Sequence, residues 1–216
     1  MWIIIAAVVL AAGFALLLKF GNRLGVLRVQ RRYPKPVHDK IVFCGASNFT
    51  LWRSLEQDML PHIVQNHGFG GSTDRELMKY ADKILYPYKP KIVVFQSGSN
   101  DFAQGLSAED ILKNKDKMYT MFRKELPNTI FVALSMLPLP GRAQFWEQSK
   151  NVNAGLREYC RTHADMFFVD TTEYLTTSAG KFCPICFRRD GIHINRKGQL
   201  IWGREIKKIL DRITLN

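Results

Sequence analysis

With 216 residues, 46% of them apolar, the chain has material for one packed domain and an appendage, which argues against disorder. Its formal net charge of +12 comes from 31 Lys and Arg against 19 Asp and Glu. No helix-turn-helix, zinc-finger or RNA-recognition signature accompanies that excess, so it does not point to nucleic acid. Half of it lies in residues 1–40, where Lys19, Arg23, Arg28, Arg31, Arg32, Lys35 and Lys40 stand against Asp39 alone.

The chain opens on MWIIIAAVVLAAGFALLL, residues 1–18, without a charged side chain. As a helix this run would extend roughly 27 Å, close to the hydrocarbon thickness of a bilayer. It lacks the leading Lys or Arg of a cleaved signal peptide and the cysteine of a lipoprotein anchor, so residues 1–18 are expected to be a single-span transmembrane anchor. The positive charges follow it, which places residue 19 onward in the cytoplasm, with a basic juxtamembrane linker over 19–39 beside the lipid headgroups. Cys44, Cys160, Cys183 and Cys186 are too few for a disulfide framework, consistent with that side of the membrane. Two prolines among charges in RRYPKPVHDK read as extended linker, so the domain proper is expected over 40–216.

From Lys40 short apolar runs alternate with helical patterns. KIVFCG, HIVQNHG, KIVVFQSG, TIFVALSM and MFFVDTT are rich in Val, Ile and Phe and apolar on both faces, as buried parallel strands are. Helices are predicted over 49–59, 73–86, 107–125, 145–163 and 196–213, the third opening on a Ser107–Asp110 capping pattern. The alternation predicts an α/β fold, a three-layer α/β/α sandwich around a central parallel sheet. Right-handed crossovers then bring the strand C-terminal ends to one rim, where such sheets bind ligands.

The polar groups that follow those ends suit ester hydrolysis. Ser47, in a Gly-Ala-Ser turn at a helix start, is a nucleophile candidate, although the same position suits a plain helix N-cap. Gly71 can aim a backbone N–H into a site, and Asn100 can offer a side-chain amide, although a flexible loop and an Asx turn account for them equally well. Asp101 suits a bracing role. Near the C-terminus Asp190 stands three residues before His193, a spacing that can hold an imidazole in the tautomer that accepts a serine proton. Of the other histidines, His67 is nearest to a motif and a candidate to line the site. Phe102, Phe145 and Trp146 suit either an acyl pocket or core. Cys183-Pro-Ile-Cys186 invites a metal or redox reading, but no second ligand pair completes a zinc site.

Taken together, GAS at 45–47, GFGGST at 68–73, GSND at 98–101 and DGIH at 190–193 resemble the four blocks of the SGNH, or GDSL, hydrolase superfamily, over roughly residues 40–213. The resemblance implies a flavodoxin-like sandwich and a serine ester hydrolase. It implies Ser47, Asp190 and His193 as the triad, and Ser47, Gly71 and Asn100 as the oxyanion hole. Neither a metal nor an organic cofactor is implied. With the anchor it suggests an acyl ester substrate in or near the bilayer, such as a lysophospholipid. A carbohydrate O-acetylesterase of the same fold is the alternative. One residue departs from the pattern: Ala46 stands where the first block usually has aspartate. That departure is the support in the sequence for a second alternative, a non-catalytic membrane-tethered scaffold.

Overall fold

In the computed structural model, which describes residues 21–177 and 180–215, the five apolar runs form one parallel sheet. Its strands are β1 (Ile41–Gly45), β2 (Val64–Asn66), β3 (Ile92–Gln96), β4 (Ile130–Leu134) and β5 (Met166–Val169), in the order β2-β1-β3-β4-β5. The helices are α1 (21–32), α2 (Ser47–Thr50), α3 (Leu55–Asp58), α4 (Asp74–Ile84), α5 (Ser99–Ala103), α6 (Ala108–Glu125), α7 (Trp146–Arg161) and α8 (Arg196–Leu215).

Successive strand residues point to opposite faces, and both faces are covered. Val42, Cys44, Val93 and Phe95 enter a core with Val26 and Val29 of α1, Leu77 and Ile84 of α4, Tyr119 and Phe122 of α6 and Leu156 of α7. Ile41, Phe43, Ile92 and Val94 enter a second core with Phe49 of α2, Leu55 of α3 and Trp202, Ile206 and Leu210 of α8. Strands with no polar face therefore find apolar partners on either side, as the sequence predicts. Capping boxes at Thr73–Glu76 and Ser107–Asp110 start α4 and α6.

Two expectations need correction. The helix predicted over 49–59 is two four-residue helices, α2 and α3. The break between them turns Trp52 into the second core, where its indole N–H donates to Asp58. More consequentially, much of the predicted linker over 19–39 is α1, a helix belonging to the body. Val26 and Val29 are fully buried against the first core, and Gly25 lies so close to Phe69 that a Cβ there would sit 2.6 Å from the Phe69 Cβ. Arg28 donates to the Gly68 carbonyl, and Arg32 pairs with Glu56 at 3.1 Å. Val26 and Val29, three residues apart, make an apolar stripe that the surrounding arginines conceal in the sequence. The folded body thus includes residue 21, and two of the basic residues assigned to a headgroup-facing linker make contacts within it. The anchor expected at 1–18 lies outside the described residues. Among the described residues no helix is long and apolar enough to cross a membrane.

Candidate active site

The strand order reverses between β1 and β3: β2 lies outward on one side, β4 and β5 on the other. Chains leaving β1 and β3 therefore diverge and open a crevice at their C-terminal ends. Ser47 follows β1 as the first residue of α2, and Asn100 follows β3 in α5. His193 comes to the same place from the loop before α8, its Nε2 2.9 Å from Ser47 Oγ. Its Nδ1 is 2.7 Å from Asp190 Oδ2, while Asp190 Oδ1 accepts the backbone N–H groups of Ile192 and His193 at 2.8 and 2.9 Å.

These bonds fix the proton positions. A carboxylate only accepts, so Nδ1 carries the hydrogen and Nε2 presents a lone pair to the serine hydroxyl. Partial burial pushes the Asp190 carboxyl up, but the donations from the His193 ring and from the backbone of His193 and Ile192 outweigh it and hold the group at about 2. Asp190 stays ionised across the neutral range.

The loop after β2 passes directly over the serine. A Cβ on Gly70 would lie 3.8 Å from the Ser47 Cβ, and Gly71, at φ +79°, has a left-handed backbone conformation suited to glycine. Asn100 is tied to this loop through Nδ2, which donates to the Ser72 carbonyl at 3.0 Å. All five residues singled out in the sequence are thus at one rim.

Several supporting groups escaped the sequence reading. Asn48, buried beside the serine, accepts the Ile194 backbone N–H at 3.0 Å and so fastens the Ser47 turn to the His193 loop. Arg142 donates through Nη1 and Nη2 to Asn100 Oδ1, both at 3.2 Å, and through Nη1 to the Ser99 carbonyl and hydroxyl. The adjacent Gly141 donates its N–H to the Gly191 carbonyl at 3.0 Å, so a single Pro-Gly-Arg turn holds both the Asn100 and the Asp190 segments. Neighbouring-residue patterns could have flagged Asn48. Nothing short of tertiary structure links Arg142 to Asn100, 42 residues away.

Beneath the Gly71 and Asn100 loops lies a buried charged cluster. Asp101 accepts the Asp74 backbone N–H at 3.2 Å, the bracing role expected of it, and Lys115 Nζ is 3.3 Å from Asp74 and 3.0 Å from Ser97 Oγ. Burial, then the neighbouring Asp74 charge, raises Asp101 to about 7 against the pull of Lys115.

Other candidates fall elsewhere. His67 does not line the site: it is fully buried between Tyr33 and Tyr88, bonded to the Ile84 carbonyl, and its burial lowers it to about 4. Phe102 and Phe145 stack at 5.3 Å and, with Trp146 and Arg142, line a recess of only about 10 Å³ beside the Asn100 segment. Cys183 and Cys186 are free thiols with sulfurs 3.3 Å apart. Among the described residues no group of three or more His, Cys, Asp or Glu side chains is placed to hold a metal ion.

The family model described as GDSL-like lipase/acylhydrolase matches residues 35–201. A Streptococcus pneumonia structure named for platelet activating factor superposes with a TM-score of 0.80 at 21% identity, covering 95% of this chain and 98% of that one. A GDSL-like lipase from Bacteroides thetaiotaomicron gives 0.68 at 19% identity, with 81% and 89% covered. A carbohydrate esterase family 3 structure from Talaromyces cellulolyticus gives 0.62 at 17%, with 82% and 97% covered. At these identities the likeness is one of fold. No curated protein matches the chain by sequence.

Proposed function

The chain belongs to the GDSL-like lipase/acylhydrolase family and is an enzyme of ester-bond hydrolysis, and from that premise we propose a membrane-anchored serine esterase that works through an acyl-enzyme. The observation that carries the proposal is the continuous hydrogen-bonded line from Ser47 Oγ through His193 to Asp190, at 2.9 and 2.7 Å. In this reading His193 Nε2 takes the serine proton as Oγ attacks the ester carbonyl, and Asp190 steadies the imidazolium. The backbone N–H groups of Ser47 and Gly71 and the amide of Asn100 receive the oxyanion. His193 then protonates the leaving alcohol, and the same nitrogen activates water to release the acid. Every proton transferred passes through one imidazole, and the chemistry calls for neither metal nor organic cofactor.

Anchoring at the bilayer, with the domain facing the cytoplasm, rests on the apolar run at 1–18 and the basic residues after it. Exposed Leu24 and Leu27 lie on α1 near Arg23, and α1 packs on the Gly68–Phe69 loop that leads to Gly71. A bilayer at the start of α1 would sit near the active site, which suits an acyl ester such as a lysophospholipid. The second reading is a carbohydrate O-acetylesterase, which the shared fold with a carbohydrate esterase family 3 structure favours.

The test is turnover of chromogenic esters from acetyl to palmitoyl by the full chain and by Ser47→Ala. Serine-dependent hydrolysis is expected, and its chain-length optimum separates the two substrate readings. Undiminished hydrolysis by Ser47→Ala would sink the mechanism.

A further inference from the structure

Arg142 is a half-buried cation with no carboxylate partner among the described residues, an arrangement that costs desolvation and is compensated only by hydrogen bonds. Its bonds converge on one segment: the Ser99 carbonyl and hydroxyl, and Asn100 Oδ1, which receives both Nη1 and Nη2 at 3.2 Å. A carboxamide can turn over about its terminal bond, exchanging its oxygen for its nitrogen at little steric cost. Guanidinium has only donors, so the atom facing it must be the oxygen. The nitrogen is thereby sent the other way, where one of its hydrogens goes to the Ser72 carbonyl at 3.0 Å. The second hydrogen is left for another acceptor.

We infer that Arg142 is a positioning residue for the reaction, holding the Asn100 amide in the orientation that donates to the oxyanion. The inference rests on the oxyanion role given to Asn100 above. The same turn supplies a mechanical reason for precision. Gly141 is bonded to Gly191, next to Asp190, so the distance between the triad loop and the amide is set by one rigid turn rather than by two independent loops. Without Arg142, the amide would gain nothing from keeping its oxygen on that side, and water would satisfy either orientation.

The experiment is a double-mutant cycle on the full chain in detergent, with an uncharged acetyl ester as substrate. Arg142→Ala is expected to lower kcat by about tenfold to a hundredfold with KM within about twofold, a smaller loss than that of Asn100→Ala. The double variant should be no slower than Asn100→Ala alone, because the arginine acts through the amide. Arg142→Lys keeps the charge but not the two-pronged geometry and should stay near Arg142→Ala. Millimolar guanidinium should restore Arg142→Ala saturably and leave the double variant unchanged. Independent losses in the cycle, a rise in KM alone, or wild-type turnover in Arg142→Lys would each overturn the assignment.

A second arm does not depend on turnover. In spectra of protein carrying ¹⁵N-asparagine, the Asn100 side-chain amide should be protected from solvent exchange in the wild type and lose protection in Arg142→Ala. An unchanged amide would overturn the inference even if activity fell. Should the wild type hydrolyse no ester through Ser47, the esterase reading fails while the amide spectrum still decides the role of Arg142.

Discussion

Gly25→Ala tests whether α1 belongs to the catalytic body. The new methyl carbon would lie 2.6 Å from the Phe69 Cβ and 3.6 Å from its Cα. Carbon atoms in packed interiors stay about 3.5–4 Å apart, so helix and loop must separate by roughly 1 Å. Phe69 is fully buried, in contact with Tyr80 on its other side, and cannot retreat. Overpacking of this kind costs about 1–3 kcal/mol, against which alanine returns up to about 1 kcal/mol of helix propensity. The net expectation is a Tm lower by a few degrees, at about 2–4 °C per kcal/mol for a chain of this size. Turnover should fall further than stability, because Phe69 lies two residues before Gly71 and a shift near 1 Å at a reacting centre can cost about a hundredfold. Gly21→Ala is the internal control: it meets nothing within 4 Å among the described residues and should be neutral or stabilising. The assay is thermal unfolding and acetyl-ester turnover for both variants. Wild-type values for Gly25→Ala would refute the packing of α1 on the Gly68–Gly71 loop.

Gly141→Ala would bring a Cβ to 2.3 Å from the Asp190 carbonyl oxygen, so the Asp190–His193 loop must shift away from Ser47. We expect a turnover loss of about a hundredfold with a small change in Tm, and unaltered turnover would show that the turn does not set the Ser47–His193 distance. Asp101→Asn addresses pH. The folded-state value of about 7 lies above the ordinary carboxylate range near 3.9, so the folded chain keeps a proton that the unfolded chain releases. Its stability contribution is complete below about pH 4 and is lost as pH rises through 7. His67, lowered to about 4, has the opposite slope in part of that window, so the observable is the difference between variant and wild type. Urea midpoints at pH 4.5, 6 and 7.5 should show Asp101→Asn gaining on the wild type as pH rises, and parallel curves would contradict the buried-proton reading.

The sheet and the pairing of Asp190 with His193 were legible because each depends on a local pattern. Runs such as IVFCG and IVVFQ have no polar face, which forces burial on both sides, and Asp190 reaches His193 within one turn of chain. What was hidden depends on partners far along the sequence. The stripe of Val26 and Val29 is only two residues wide, and four arginines between 23 and 32 outweigh it in any average of hydropathy, so α1 reads as a linker until Phe69 is seen beneath Gly25. His67 shows the converse error. Its place between a strand and a glycine loop suggests a site residue, yet a β2 neighbour pointing toward α4 is committed to the core by the sheet's alternation.

Position 46 shows why a motif departure need not be a loss of function. Ala46 is buried as the N-cap of α2 and offers no side-chain acceptor to the helix start. Its backbone still does the work of the turn: the carbonyl accepts from Phe49 and Thr50 at 3.2 Å, and the N–H bonds to Gln96 at the end of β3. The linkage between the nucleophile turn and the histidine loop falls instead to Asn48, through its bond to Ile194. None of the hydrogen bonds joining Ser47, His193 and Asp190 passes through the side chain at 46. An aspartate there could stiffen the turn, but the hydrogen bond between Ser47 and His193 does not need it. The absence of a carboxylate at this position therefore lends no weight to a scaffold that has given up catalysis.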